Sequence, residues 1–337
     1  GSEGNDSLAS AGGIVGFGSG STVSDCSSEG EITAGSEGGE SLASAGGIVG
    51  FGSECIVSDC SSEGKITAGS EGDESLASAG GIVGFDSRSP VSDCSSEGEI
   101  TAGSEGNDSL ASAGGIVGFG FGFIVSDCSS EGEITASSDG NKSLSSAGGI
   151  SGFSMGIVVN NCSSEGEITA GSEGGESLSS AGGIVGNSNI GTIANSSNSG
   201  FVIIYASRES NNTAGGIVGN NSGDVENCYN TGTVNVSGNS KRNYAGGIVG
   251  YNSGDLVNCY NTGAVAASGG EENCAGGIVG YYFSGHGANI YWLDSIATAG
   301  IGGGDGNFNN CRSFTAAQGR GTSKDFTYEI MDIGEGQ

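Results

Sequence analysis

Short apolar clusters alternate along the chain with runs of Gly, Ser, Asn and acidic residues, and the alternation is periodic. Ala-Gly-Gly-Ile-Val-Gly begins at Ala11, Ala45, Ala79, Ala113, Ala181, Ala214, Ala245 and Ala275, and a variant with Ser151 in place of Val begins at Ala147. The first five steps are 34 residues, and the last three are 33, 31 and 30. A second anchor follows 15 residues later at Cys26, Cys60, Cys94, Cys128, Cys162 and Ser196, and 14 residues later at Cys228 and Cys259. Nine copies at such a period are the signature of a solenoid or array. Most length variation falls after the Cys column, in the acidic stretch typified by Gly35–Ser41. Insertions collect in surface loops, so this stretch is expected outside the core.

Helical repeats have overlapping periods, but no copy holds an amphipathic run of helical length. Three β-type pieces recur instead, typified by Ser10–Val15, Thr22–Cys26 and Glu31–Ala34. A Gly column lies between the second and third pieces: Gly30, Gly64, Gly98, Gly132, Gly166, Gly200, Gly232 and Gly263. It is expected to be a corner at positive φ. The pattern predicts an all-β fold, a parallel β-solenoid of about nine coils of 30–34 residues with three short strands per coil. Ile14, Val23 and Ile32 head three apolar columns that would fill the interior. Two smaller coils per repeat, or a β-propeller, remain alternatives, although propeller blades need four strands.

Composition alone points elsewhere. Of 337 residues 71 are Gly, with one Pro, one Trp and one His, and 39 acidic residues against 9 basic ones give a formal net charge of -30. Leu, Ile, Val and Phe make up about a fifth of the chain, the border of disorder for a highly charged sequence. Repetition changes that reading, because neighbouring coils bury what a single coil cannot. One Pro excludes collagen, and abundant Gly excludes a helical protein. No apolar run is long enough for a transmembrane helix, and the acidic balance excludes a nucleic-acid partner. The chain starts partway through a repeat and is expected to be a piece of a longer protein.

Asn227-Cys228-Tyr229-Asn230-Thr231-Gly232 and Asn258-Cys259-Tyr260-Asn261-Thr262-Gly263, each preceded by Ala-Gly-Gly-Ile-Val-Gly, resemble GLUG-motif repeats. Tyr291-Trp292-Leu293 followed by Gly300-Ile301-Gly302-Gly303-Gly304 is similar to the end of such arrays. The resemblance covers roughly residues 1–300 and is strongest from Ala214 to Gly263. The first five copies depart from it, with Cys-Ser-Ser-Glu-Gly in place of Cys-Tyr-Asn-Thr-Gly, and the sixth lacks the Cys. It implies a repeat module of large secreted or surface-anchored bacterial proteins, including non-catalytic regions of immunoglobulin-A-cleaving metallopeptidases. It brings no catalytic residue. The expected division is 1–280 for the repeats and 281–337 for a C-terminal cap.

Three columns are candidates for chemistry. The Cys column reads as a ladder of small buried thiols. Disulfide or metal use is less favoured, because parallel side chains do not converge and no short Cys-x-x-Cys spacing or paired His is present. Cys55, Cys274 and Cys311 lie outside that spacing, free or paired. Glu29, Glu63, Glu97, Glu131 and Glu165 form one acidic column, and Glu3, Glu37, Glu71, Glu105, Asp139 and Glu173 another. Both read as a solvated face, with the first column a weak candidate for Ca²⁺. Asp25, Asp59, Asp93 and Asp127, continued by Asn161, Asn195, Asn227 and Asn258, suit a turn. Carboxylates stacked there would titrate high if they faced inward.

His286 is the only His, so no two-His metal site can be built from this chain. Carboxylates that recur in every coil do not resemble a one-off active site. Tyr229, Tyr260, Tyr281, Tyr282 and Trp292 form the candidate binding surface, weighed against terminal-cap packing. The expectation is a secreted or cell-surface, non-catalytic spacer or adhesion module without a cofactor. Its partners are other domains of the same protein or host and cell-surface ligands. A Ca²⁺-dependent or glycan-binding adhesin is the alternative, and a polysaccharide-active β-helix enzyme the remote one.

Overall fold

A computed structural model shows the chain as an all-β parallel solenoid, described for all residues except 5, 207–209, 298, 305–308 and 315–337. The second coil typifies the rest. Leu42–Gly46 lies on one face (B), and Val49–Ser53, Ile56–Ser58 and Ser61–Ser62 lie on a second (C). Ile66–Glu71 closes the coil on the third (A). Faces A and B each stack nine strands among the described residues, and face C stacks 25 short ones. Each strand pairs in parallel with its equivalent in the next coil, and identical residues meet, as Ile66 does with Ile32 below and Ile100 above.

The apolar columns fill the interior in two lobes. Ile48, Ile82 and Ile116 pack with Val57, Val91, Val125 and the buried Cys side chains. Ile66 and Ile100 pack with Ala43, Ala45, Ala68 and Ala79 between faces A and B. Ala on both inner faces lets those two sheets approach closely. Small side chains therefore close this lobe, and little Leu is needed.

Three local expectations are corrected. Ser10–Val15 is not one strand, because the chain bends between Gly12 and Val15, and strands run Leu8–Gly12 and Val15–Ser19. In the second coil a Cβ on Gly46 would fall 1.9 Å from the Val49 carbonyl oxygen, so the bend excludes any side chain there. The Gly30 column is a corner but does not sit at positive φ. A Cβ on Gly64 would lie 1.9 Å from the Gly30 carbonyl oxygen, so close approach between coils is what demands Gly. The left-handed turn belongs to Asp25, Asp59, Asp93 and Asp127, with φ of 53–56°, and to Asn at the later positions. Asp and Asn tolerate that region through local side-chain bonding. The stretch Gly35–Ser41 is also partly internal: Ser36 and Ser41 are buried, and Glu37 ends a strand.

The expected cap at 281–337 lies partly outside the described residues. Its described part continues the stack, with Gly287–Leu293, Ile301–Gly304 and Asn309–Phe314 added to face C. Trp292 takes the place above Asn261, and its indole Nε1 donates to the Ala297 carbonyl at 3.2 Å. No helix among the described residues is long and apolar enough to cross a membrane.

Candidate functional site

The thiol column is internal. Cys60, Cys94, Cys128, Cys162, Cys228 and Cys259 are buried, and Cys26 at the first coil is half-buried. Each Sγ donates back to the carbonyl two residues earlier, as Cys60 does to Ser58 at 3.0 Å and Cys94 to Ser92 at 3.0 Å. Burial pushes the Cys60 thiol up to about 11 and the Cys259 thiol to about 12. Cys94 and Cys128 are raised further, first by hydrogen bonding to the next thiol in the ladder and then by burial. Thiolate is the nucleophile and the metal ligand, so a column held in the thiol form is chemically quiet. All ten Cys are free.

Cys311 was expected outside the ladder, but it stacks on Ile290, which stacks on Cys259, so it belongs to the same column. Cys55 sits in the core, and its backbone N–H donates to Ser89 Oγ at 3.1 Å. Cys274 pairs with Tyr244 on face B. No group of three or more His, Cys, Asp or Glu suited to a metal ion occurs among the described residues.

The turn column faces outward: Asp25, Asp59, Asp93 and Asp127 are exposed, so the inward condition for raised carboxylates is not met. From Asp127 onward the side chains bond along the rod. Asn161 Nδ2 donates to Asp127 Oδ1 at 2.6 Å, Asn195 Nδ2 turns instead to Asn160 Oδ1 at 2.7 Å, and Asn227, Asn258, Asn289 and Asn310 each donate to the Asn before them in the column at 2.8–3.2 Å.

A second polar column runs inside and escaped the sequence reading. Asn198 donates to Asn230, and Asn230 to Asn261, both at 2.8 Å and buried. Each of these Asn also accepts from, and donates to, the backbone of the Gly two residues on. In the earlier coils Ser62, Ser96, Ser130 and Ser164 hold this position, and their hydroxyls have no hydrogen-bond partner. The Asn of the Tyr-Asn-Thr-Gly repeats is therefore a structural residue, and its period of about 31 was the available signal.

The candidate acidic residues Glu29, Glu63, Glu97, Glu131 and Glu165 are all exposed on one edge of face A. The neighbouring column carries an ion pair, Lys65 Nζ to Glu99 Oε1 at 2.7 Å. Exposed pairs of this kind contribute little. A shallow groove of about 690 Å³ runs along face A over the first four coils. Its floor includes Gly35, Gly69 and Gly103, with Thr33, Thr67 and Thr101 on one side and Glu37, Glu71 and Glu105 on the other.

The aromatic candidates do not form one surface. Tyr229 and Tyr260 stack with ring centroids 5.1 Å apart and planes 3° from parallel. Burial, with Tyr229 beside it, pushes the Tyr260 hydroxyl up to about 12. Tyr281 stacks instead on Tyr244 at 4.7 Å and on Tyr251 at 5.7 Å, around the bend between faces B and C. Tyr282 is half-buried, and its hydroxyl bonds to the Gly285 carbonyl. Trp292 is buried. Rings stacked face to face present edges and hydroxyls to solvent, so the flat faces that a sugar would cover are largely taken up between coils.

A larger aromatic column was missed altogether. Phe17, Phe51, Phe85, Phe119 and Phe153 stack in sequence at 4.7–5.3 Å on the outside of face C. The same column count that revealed the Cys ladder would have found it. His286 stands at the surface, with Nδ1 3.3 Å from Asp255 Oδ1.

The GLUG motif matches residues 210–235 and 242–266, which hold Asn230 and Asn261 of the interior Asn ladder. The chain is a β-solenoid repeat protein with GLUG repeats in its C-terminal part. Among solved structures it is similar to a Bacteroides ovatus protein named as a candidate immunoglobulin A1 protease. Identity is 17% over 86% of this chain and 79% of that one, with a TM-score of 0.45. No curated protein compared with the chain matches it in sequence.

Proposed function

We propose that the chain is a non-catalytic spacer or adhesion module of a secreted or cell-surface bacterial protein. One observation carries this reading: the polar side chains recur in register from coil to coil, as in Thr67↔Thr101 and Glu71↔Glu105, so the surface consists of columns. A column suits length, rigidity and repeated weak contact. Catalysis needs unlike groups converging on one point. Partners are then the flanking domains of the same protein, or ligands met at the cell surface.

The test displays variants with different numbers of coils between two reporter domains and measures both their separation and adhesion to host glycans and proteins. Separation that grows with coil number supports the spacer. A hydrolytic activity abolished by one substitution in one coil would overturn it. The adhesin reading is favoured by the face A groove, whose Thr hydroxyls and carboxylates suit a glycan. Glycan-array binding lost on combined Thr67→Val and Thr101→Val substitution would support it.

A further inference from the structure

Face A changes character at the sixth coil. Along the first coils its groove has a floor that includes Gly35, Gly69 and Gly103, between the Thr33–Thr67–Thr101 column and the Glu37–Glu71–Glu105 column. The fold does not require these glycines. A Cβ on Gly35 or Gly69 would meet nothing within 4 Å, and one on Gly103 would reach only Ser137 Oγ at 3.8 Å. Gly in a strand interior weakens the strand, and it marks places where a ligand or another backbone comes close.

The floor column continues through Ser137 and Gly171. The register that pairs Ala170 with Ile204 then sets Tyr205 next after Gly171, so the floor ends at a large side chain. In the strand Phe201–Ala206, Val202 and Ile204 are buried, while Phe201 and Tyr205 stand outward, 55% and 60% exposed. Ser237 follows Tyr205 in the next coil. With Gly on one side and Ser on the other, no neighbouring ring in its column covers Tyr205, unlike Tyr229 and Tyr260, which cover each other. The groove therefore leads to a pair of exposed aromatic side chains on the same face.

We propose that face A binds a linear glycan without acidic groups, its chain lying along the Gly floor and one sugar packing on Tyr205 and Phe201. Each lining group answers one part of a sugar. The C–H faces of a pyranose ring are apolar and suit an open aromatic face. Its hydroxyls donate to the carboxylates, which only accept, and exchange hydrogen bonds with the Thr hydroxyls. A floor without Cβ atoms lets flat rings approach the backbone. The carboxylate column along the groove repels uronate, sialate and sulfate groups. A basic peptide would use the carboxylates, but it would need neither the bare floor nor the rings. This inference rests on the adhesin reading and gives it a ligand class and an anchoring pair.

The test titrates the full chain with neutral, amino-bearing and acidic oligosaccharides and with oligolysine, on an array and by calorimetry. Neutral or amino-bearing chains should bind, and acidic ones should not. Phe201→Ala with Tyr205→Ala should weaken binding by about tenfold or more with circular dichroism unchanged. Gly69→Val with Gly103→Val should weaken it likewise while the melting temperature holds or rises, because Val suits an outward strand position. The second pair keeps the test decisive if the first fails to fold. Glycan binding that is indifferent to either folded variant, or confined to acidic sugars, overturns this inference and leaves the adhesin reading standing. Oligolysine bound more tightly than any glycan overturns it as well. No glycan bound at all overturns both.

Discussion

Asn230 and Asn261, 31 residues apart in sequence, share a buried hydrogen bond, Nδ2 to Oδ1 at 2.8 Å, between successive coils. Each also closes a ring with the Gly two residues on, so one side chain fixes both the corner of its own coil and the register of the next. The ladder joins local turn chemistry to the stacking of the whole rod.

Asn230→Ala removes one rung and leaves Asn198 and Asn261 each short of a partner. Stranding buried polar groups costs about 1–3 kcal/mol apiece. Hydrogen exchange should show the Gly232 amide and the neighbouring strands opening at least tenfold more often, with the first coils unchanged because coupling is between neighbours. Uniform protection along the rod would contradict this.

The glycines divide into those at a crowded corner and those in an open strand. A Cβ on Gly98 would lie 1.9 Å from the Gly64 carbonyl oxygen, while a Cβ on Gly69 meets nothing within 4 Å. Gly98→Ala should therefore cost several kcal/mol, or prevent stacking at the third coil. Gly69→Ala should be neutral or stabilise by about 0.5 kcal/mol through the unfolded chain. Melting temperatures of the two variants check the contrast.

Asp86 stands in the interior column that holds Gly52 and Gly120 on either side and Asn221 and Asn252 further along. Both carboxyl oxygens are buried, and burial raises its pKa from 3.8 to about 7, only partly offset by hydrogen bonding from Ser89 and Ser87. The folded state favours the neutral acid. Full stability is therefore present below about pH 4 and falls as pH rises to about 7, beyond which the loss, on the order of a few kcal/mol, is complete. Other carboxylates add their own slopes, so the test is the difference between the chain and Asp86→Asn across pH 4–8. The variant should gain relative stability as pH rises. A difference that stays flat would place the carboxyl in contact with water.

The thiol ladder should resist modification. With Cys60 raised to about 11 and Cys259 to about 12, little thiolate exists at pH 8, and both side chains are buried. Alkylation of the folded chain should leave these two unmodified for hours, and all ten Cys should react in denaturant. Fast native labelling of Cys94 or Cys128 would contradict the burial of the column.

Much of this fold is written in the period. Ile66 over Ile32, and Cys60 in line with Cys94, follow from counting alone, because a parallel stack in register converts sequence spacing into contact. Two kinds of feature do not follow. A Gly column does not say whether φ or close approach demands it, which is why Gly30 was assigned the left-handed turn that Asp25 makes. Length changes also hide register. Cys311 joins the thiol column through Ile290, after the spacing that defines the column has ended. The Phe17–Phe153 stack is legible in the same way, as a Phe column at a period of 34 residues beside the bend.

The central claim is that each copy is one interchangeable coil of a rod. It is tested most directly by excising residues 35–102, two whole copies, which joins Ala34 to Gly103 in register. With spin labels on unnatural amino acids at Ser21 and Ser222, pulsed dipolar spectroscopy reads the distance between them. The chain of stacked coils predicts that the distance falls by about 10 Å, two coil spacings, with circular dichroism per residue unchanged. An unchanged distance, or loss of the β-sheet signal, would contradict it.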